Sequence, residues 1–103
     1  MKTLKEWERL FADAIQKKFG TCSQEKRLVY LLQELEDISI GLKVEKGELE
    51  AVDHRYKKPD ERIAGLLANV FVLTQQRGTD LEKELQQALD WFLNPDTRPS
   101  SSD

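Results

Sequence analysis

The sequence has few of the residues that structural crosslinks and metal sites require. It contains one cysteine, Cys22, and one histidine among 103 residues. A single cysteine excludes an internal disulfide and a cysteine-rich zinc site. Long apolar runs are missing as well, since the most apolar stretch, residues 66–73, is interrupted by Asn69. It falls far short of the roughly 20 residues of a membrane-spanning helix, so we expect no membrane partner.

An excess of positive charge is also missing. The 16 Lys and Arg residues are outnumbered by 19 Asp and Glu residues, and the formal net charge is -3. Nucleic-acid-binding domains usually carry a basic stripe, so we expect neither DNA nor RNA as a partner. Acidic side chains stand near the start, where a secretory signal peptide would be apolar. These features are typical of a cytoplasmic protein.

The length and composition predict one small folded domain. Hydrophobic residues make up 39% and charged residues 34% of the chain, which is enough apolar content to fold. We expect residues 1–95 to form a single helical domain. Residues 96–103, which are rich in Ser, are predicted to be a flexible C-terminal tail.

Capping signals and helical spacing predict the first two helices. Thr3 and Glu6 have the spacing of a capping box, and Gly20 suits the end of the first helix. The second helix is predicted to start after Thr21 or Ser23 and to run to about residue 42. Its leucines share one predicted apolar face, and the opposite, polar face carries Tyr30, Gln33, Glu34 and Asp37. A short strand over residues 38–44 is the alternative, because apolar residues alternate there.

The second half of the chain predicts two more helices. Pro59 fits the first position of a helix that ends at Gly78, and residues 63–73 are apolar on nearly every side. We therefore expect this helix at the centre of the fold. A second capping box, Thr79 to Glu82, begins a fourth helix that stops at Asn94. The prediction is an all-α four-helix bundle, completed by a homodimer or a tetramer because three small amphipathic helices barely cover the central one.

Two segments resemble the all-α nucleoside triphosphate pyrophosphohydrolases of the MazG type. Residues 31–38, Leu-Leu-Gln-Glu-Leu-Glu-Asp-Ile, are similar to the family's second helix, where two glutamates lie three residues apart. Residues 61–67 and the turn Gly-Thr-Asp-Leu-Glu at 78–82 resemble its third helix and the turn into the fourth. The resemblance covers residues 24–93. It implies a MazG-like bundle that acts on nucleoside triphosphates, releasing a monophosphate and pyrophosphate.

The family's chemistry rests on Glu-x-x-Glu on one helix and Glu-x-x-Asp on the next. Two such pairs make an oxygen cage for Mg²⁺, which activates water for attack on the phosphate chain. By this resemblance Glu34 and Asp37 are metal ligands, and Glu45 with Glu48 form an alternative pair.

The second acidic pair of the family has no counterpart in this chain, because Arg62 and Gly65 stand at its positions. Half of the expected Mg²⁺ ligands are therefore absent, and no catalytic residue is identified. The resemblance leaves two alternatives: a hydrolase with an altered metal site, or a catalytically silent member that binds a nucleotide or a protein partner.

Three further residues are candidates for substrate binding. We expect Arg62 to form an ion pair with Glu34 and Asp37 in the place of the metal, because arginine forms strong bonds with carboxylates. The alternative is that Arg62 lies on the surface without a partner. Asn69 lies on the same helix face as Arg62. It is either a remnant of the nucleotide pocket, or its side chain forms a hydrogen bond across a helix–helix or dimer interface. Tyr30 is the candidate for stacking on a nucleobase.

Overall fold

The computed structural model describes residues 1–50 and 58–94. Over these residues the chain forms α1 (Leu4–Phe19), α2 (Gln24–Glu45), α3 (Pro59–Arg77) and α4 (Leu81–Leu93), and no strand. The prediction of an all-α chain with four helices is confirmed for this part of the sequence. The alternative strand over residues 38–44 is wrong, because these residues continue α2 to Glu45. The predicted tail, residues 96–103, lies outside the described residues.

The ends of the helices follow local hydrogen-bonding rules. At the start of α1 the Thr3 hydroxyl accepts a bond from the Glu6 N–H at 3.1 Å, and the Thr3 N–H donates to the Glu6 carboxylate at 2.9 Å. The predicted capping box is therefore present. The start of α2 is capped by Ser23, whose hydroxyl accepts from the Lys26 N–H at 3.1 Å. Gly78 ends α3 in the left-handed conformation, with φ 66°.

The predicted capping box at the start of α4 is wrong. The cap is Asp80, whose carboxylate accepts from the Lys83 N–H at 3.2 Å. Thr79 instead belongs to the turn that ends α3, where its N–H donates to the Thr74 carbonyl at 2.9 Å. The two helices are so close in sequence that the end of one uses the residue predicted to begin the other.

The helix α3 is the centre of the packing, since α1 and α2 both pack along it. The buried apolar residues are small: Ala12 on α1, and Ala68 and Val72 on α3. None of the large side chains in the described part of the chain is fully buried, and no residue of α4 is buried. The prediction of a central third helix is confirmed, but its apolar surface is only partly covered. No helix among the described residues is long and apolar enough to cross a membrane.

The helix α2 presents its polar residues to α3, which corrects the predicted assignment of its faces. Arg27 is buried, and the Glu34 side chain is only 15% exposed. On α3, Arg62 pairs with Glu34 and Asn69 accepts one hydrogen bond from Arg27, which offsets part of the cost of their burial. Leu31 of the predicted apolar face is half-buried, but the remaining leucines of that face form a row that lies outside. We call this row the leucine face; its members are 45% to 65% exposed and are Leu28, Leu32, Leu35 and Leu42.

Candidate functional site

An ion pair joins α2 to α3 at the centre of the site. Arg62 Nη1 lies 3.1 Å from Glu34 Oε1 and 3.6 Å from Asp37 Oδ2. Glu34 and Asp37 stand three residues apart on α2, so their side chains project from one face of that helix. The structure thus shows the predicted contacts of Arg62 with both carboxylates.

Gly65 allows the Glu34 carboxylate to lie directly against α3. A Cβ atom built on Gly65 would collide with Glu34 Oε2, which therefore occupies the space of a side chain at position 65. Gly65 follows Arg62 by three residues, so both positions face α2 from the same side of α3. Any larger residue at position 65 requires the carboxylate to move.

A second polar contact between α2 and α3 involves Asn69. Its Oδ1 atom accepts a hydrogen bond from Arg27 Nη1 at 2.8 Å, and its Nδ2 atom donates to the Gly65 carbonyl at 2.9 Å. Asn69 therefore bonds across a helix–helix interface within the chain, which is one of the alternatives that the sequence left open. The amide that interrupts the apolar stretch of α3 is satisfied by these bonds.

A pocket of about 380 Å³ lies beside this polar network. Its apolar wall comes from the end of α1, and its polar wall includes Glu34, Asn69 and Arg27. Tyr30 also lines the pocket, with the Arg27 guanidinium 5.4 Å from its ring centre. The candidates Tyr30, Glu34 and Asn69 thus share one pocket, and Arg62 reaches it through its bond to Glu34.

The residues at the site do not form the oxygen cage that Mg²⁺ takes. Mg²⁺ needs near-octahedral oxygen ligands, but Glu34 and Asp37 already contact a guanidinium. Position 65 has no side chain to offer. Among the described residues, no group of three or more histidine, cysteine, aspartate or glutamate side chains is arranged to hold a metal ion.

The alternative acidic pair is separated by the end of a helix. Glu45 is the last residue of α2, and Glu48 follows the turn at Gly47, where φ is 79°. Both side chains are exposed. Residues three apart share a face only while the helix continues, so the prediction that Glu45 and Glu48 act as one Glu-x-x-Glu pair loses its geometric basis.

Arg27 is the residue of the site that sequence reasoning missed. It is only 5% exposed, although arginine is rarely buried. It precedes Glu34 by two helical turns, so it lies on the same face of α2. That seven-residue spacing from Glu34 is the signal that could have found it.

Comparisons of the chain with protein-family models, with curated proteins and with solved structures find no match. The resemblance to MazG-type enzymes therefore rests on the motifs of residues 24–93.

Proposed function

We propose that this protein is a MazG-like helical scaffold that binds nucleoside triphosphates in the cytoplasm without a metal ion and without hydrolysing them. The observation that carries the proposal is the contact of Arg62 with both Glu34 and Asp37. Arginine is always protonated in proteins, so a change of pH does not remove its charge. A permanent cation between two carboxylates cancels half of the negative charge that would attract Mg²⁺ and occupies their oxygen atoms.

The pocket beside this ion pair supports nucleotide binding. It combines an aromatic ring, Tyr30, with the Asn69 amide and the Arg27 guanidinium. Aromatic rings stack on bases, and guanidinium groups bind phosphates. A nucleotide offers both kinds of partner in one molecule.

A second candidate function is Mg²⁺-dependent pyrophosphohydrolysis of nucleoside triphosphates. It is favoured by the position of Glu34 and Asp37, which lie together on one face of α2. In this alternative a bound substrate displaces Arg62, and Glu61, which is exposed next to it, adds a carboxylate to the ligand set.

Nucleotide binding and turnover separate the two functions. The native protein is incubated with canonical and modified nucleoside triphosphates, in Mg²⁺ and in excess EDTA. We expect binding by thermal shift in both buffers and no release of pyrophosphate. Release of pyrophosphate that is lost in Glu34→Gln, but kept in the exposed neighbour Glu36→Gln, would show that the protein is the hydrolase. The absence of nucleotide binding in both buffers would contradict both functions.

Calorimetric titration with Mn²⁺ tests the role of Arg62 directly. We expect no binding to the native protein, because the guanidinium occupies the carboxylates. Arg62→Met removes the cation and should produce measurable Mn²⁺ binding. The matched control Arg77→Met removes an exposed arginine from the same helix and should not. Tight binding to the native protein that is lost in Glu34→Ala would overturn the proposal that Arg62 replaces the metal.

We further propose that the leucine face of α2 is covered by a second copy of the chain. Four leucines on one helix face are each about half exposed, and clusters of exposed apolar residues often mark interaction sites. A two-fold dimer buries the same face of both copies.

A further inference from the structure

Arg27 is a buried cation whose described partners are all neutral. Its Nη1 atom donates to Asn69 Oδ1, and its guanidinium lies over the Tyr30 ring. Its Nε atom is buried and makes no hydrogen bond within residues 1–50 and 58–94. Both ion pairs found in that part of the chain belong to Arg62. A buried charge is costly when no opposite charge compensates for it.

Arg27 is also among the residues that line the 380 Å³ pocket. This volume lies within the range of about 300 to 1,000 Å³ that is usual for small-molecule sites. Glu34 is the carboxylate among the lining residues that the structure describes, and it is bonded to Arg62. The opposite wall is mainly apolar, with Ile15 and Phe19 from α1.

We propose that this pocket binds an organic oxyanion, a phosphate or carboxylate group carried on an aromatic or apolar body, and that Arg27 is the residue that receives the anion. The negative group supplies the missing counter-charge, and the apolar body lies against the residues of α1. Arginine suits this role because its planar guanidinium forms strong, charge-assisted bonds with both kinds of oxyanion. The inference rests on the proposed function in using the same pocket, and it names the chemical group that the pocket recognises.

Phenyl phosphate and benzoate are the probes for this site, with phenol and benzamide as their neutral counterparts. Each probe is titrated into the native protein and followed by ¹H–¹⁵N NMR spectra. We expect shifts around Arg27, Tyr30 and Asn69 with the charged probes and at least about tenfold weaker binding of the neutral ones, since a bond to a charged group contributes that much. The stronger of the two charged probes identifies the preferred oxyanion. Equal binding of charged and neutral probes would overturn the proposal.

Asn69→Asp is the sharpest variant, because it places a carboxylate at the atom that already contacts Arg27. This internal anion should neutralise the guanidinium and weaken the binding of phenyl phosphate and benzoate at least about tenfold. Arg27→Met should have the same effect, and Arg77→Met, which changes an exposed arginine, should have none. If Arg27→Met fails to fold, Asn69→Asp still decides the question. Unchanged binding in Asn69→Asp contradicts the role of Arg27.

The same measurements separate this inference from nucleotide binding. Charged probes that bind in an Arg27-dependent way, together with nucleotides that do not bind, would support the anion site and refute the nucleotide function. Nucleotides that bind equally well to the native protein and to Asn69→Asp would support the proposed function and refute the anion site at Arg27.

Discussion

At the scale of single residues, Gly65 determines how closely Glu34 can approach α3. A Cβ atom at position 65 would overlap the Glu34 carboxylate, which is held in place by its 3.1 Å bond to Arg62. Glycine in the interior of a helix usually costs about 1 kcal/mol relative to alanine. Here the cost is offset because the missing side chain makes room for a partly buried ion pair.

We predict that the effect of Gly65→Ala on the free energy of unfolding depends on the residue at position 34. In the native background the gain in helix propensity opposes an overpacking cost of about 1 to 3 kcal/mol, so the free energy of unfolding should stay level or fall. In the Glu34→Ala background no carboxylate occupies the space beside position 65. Gly65→Ala should then raise the free energy of unfolding by about 1 kcal/mol. Urea unfolding of the four proteins measures both effects. Equal effects in the two backgrounds would show that Gly65 and Glu34 do not interact.

Sequence reasoning predicts Arg62 and Asn69 better than it predicts Arg27. The positions of Arg62 and Asn69 on the helix face opposite Glu34 follow from helical spacing and from the resemblance to MazG-type enzymes. The buried state of Arg27 depends on tertiary contacts, because a charged residue in the first turn of a helix is ordinarily exposed. Only the structure shows that the Asn69 carboxamide bonds to it.

At the scale of the helical element, the start of α1 carries both hydrogen bonds of a capping box. The Thr3 N–H and the Thr3 hydroxyl, together with a smaller effect of Arg9, lower the pKa of Glu6 from its ordinary value of 4.5. A carboxyl whose pKa is lower in the folded state stabilises the fold above its unfolded pKa. That stabilisation is lost as the pH falls through the lower folded value.

We predict that the contribution of the capping box to stability depends on pH. Thr3→Ala removes the hydroxyl cap, so the free energy of unfolding should fall by about 1 kcal/mol. The pKa of Glu6, measured by NMR titration, should move back toward 4.5. The move should be partial, because the backbone N–H of residue 3 still donates to Glu6. In Glu6→Gln, stability should decline less steeply than in the native protein as the pH falls below 4.5; parallel declines would contradict this assignment.

The assignment of the faces of α2 shows where pattern reasoning fails at this scale. Hydrophobic periodicity correctly predicts a helix and places its leucines on one side. It cannot tell whether that side faces the core of the same chain or a partner, because both bury apolar surface. In this chain the polar face packs on α3, since Arg62 and Asn69 provide partners for its charges.

At the scale of the whole molecule, the apolar surface exceeds what one copy of the chain covers. Besides the leucine face, α4 exposes a second row along one side, with Leu85, Leu89 and Phe92 each at least half exposed. The sequence predicted this shortage of cover, because a helix that is apolar on nearly every side needs neighbours all round. The leucine face is the more extensive row and the better candidate for a dimer interface, and the row on α4 is a candidate for joining dimers into a tetramer.

We predict that Leu32→Glu converts a dimer of this chain into a monomer. Leu32 is the most exposed member of the leucine face, at 65%, and a two-fold interface contains the substitution twice. Burying one leucine contributes about 1.5 to 3 kcal/mol, so the dimer should weaken roughly a hundredfold or more. Sedimentation equilibrium of the native protein should report a dimer or a tetramer rather than the 12.0 kDa monomer.

Gln33→Glu is the matched control, because it introduces the same charge on α2 about 100° around the helix from Leu32 and farther from the other members of the leucine face. Gln33 is also exposed, so a general effect of an added carboxylate would appear in both variants. If the native protein forms a tetramer, Leu89→Glu should reduce it to the dimer, whereas Leu32→Glu should disrupt the dimer itself. A native protein that remains a monomer at millimolar concentration would contradict the proposal that a second copy covers the leucine face. Two copies joined by an apolar interface of this kind should associate well below that concentration.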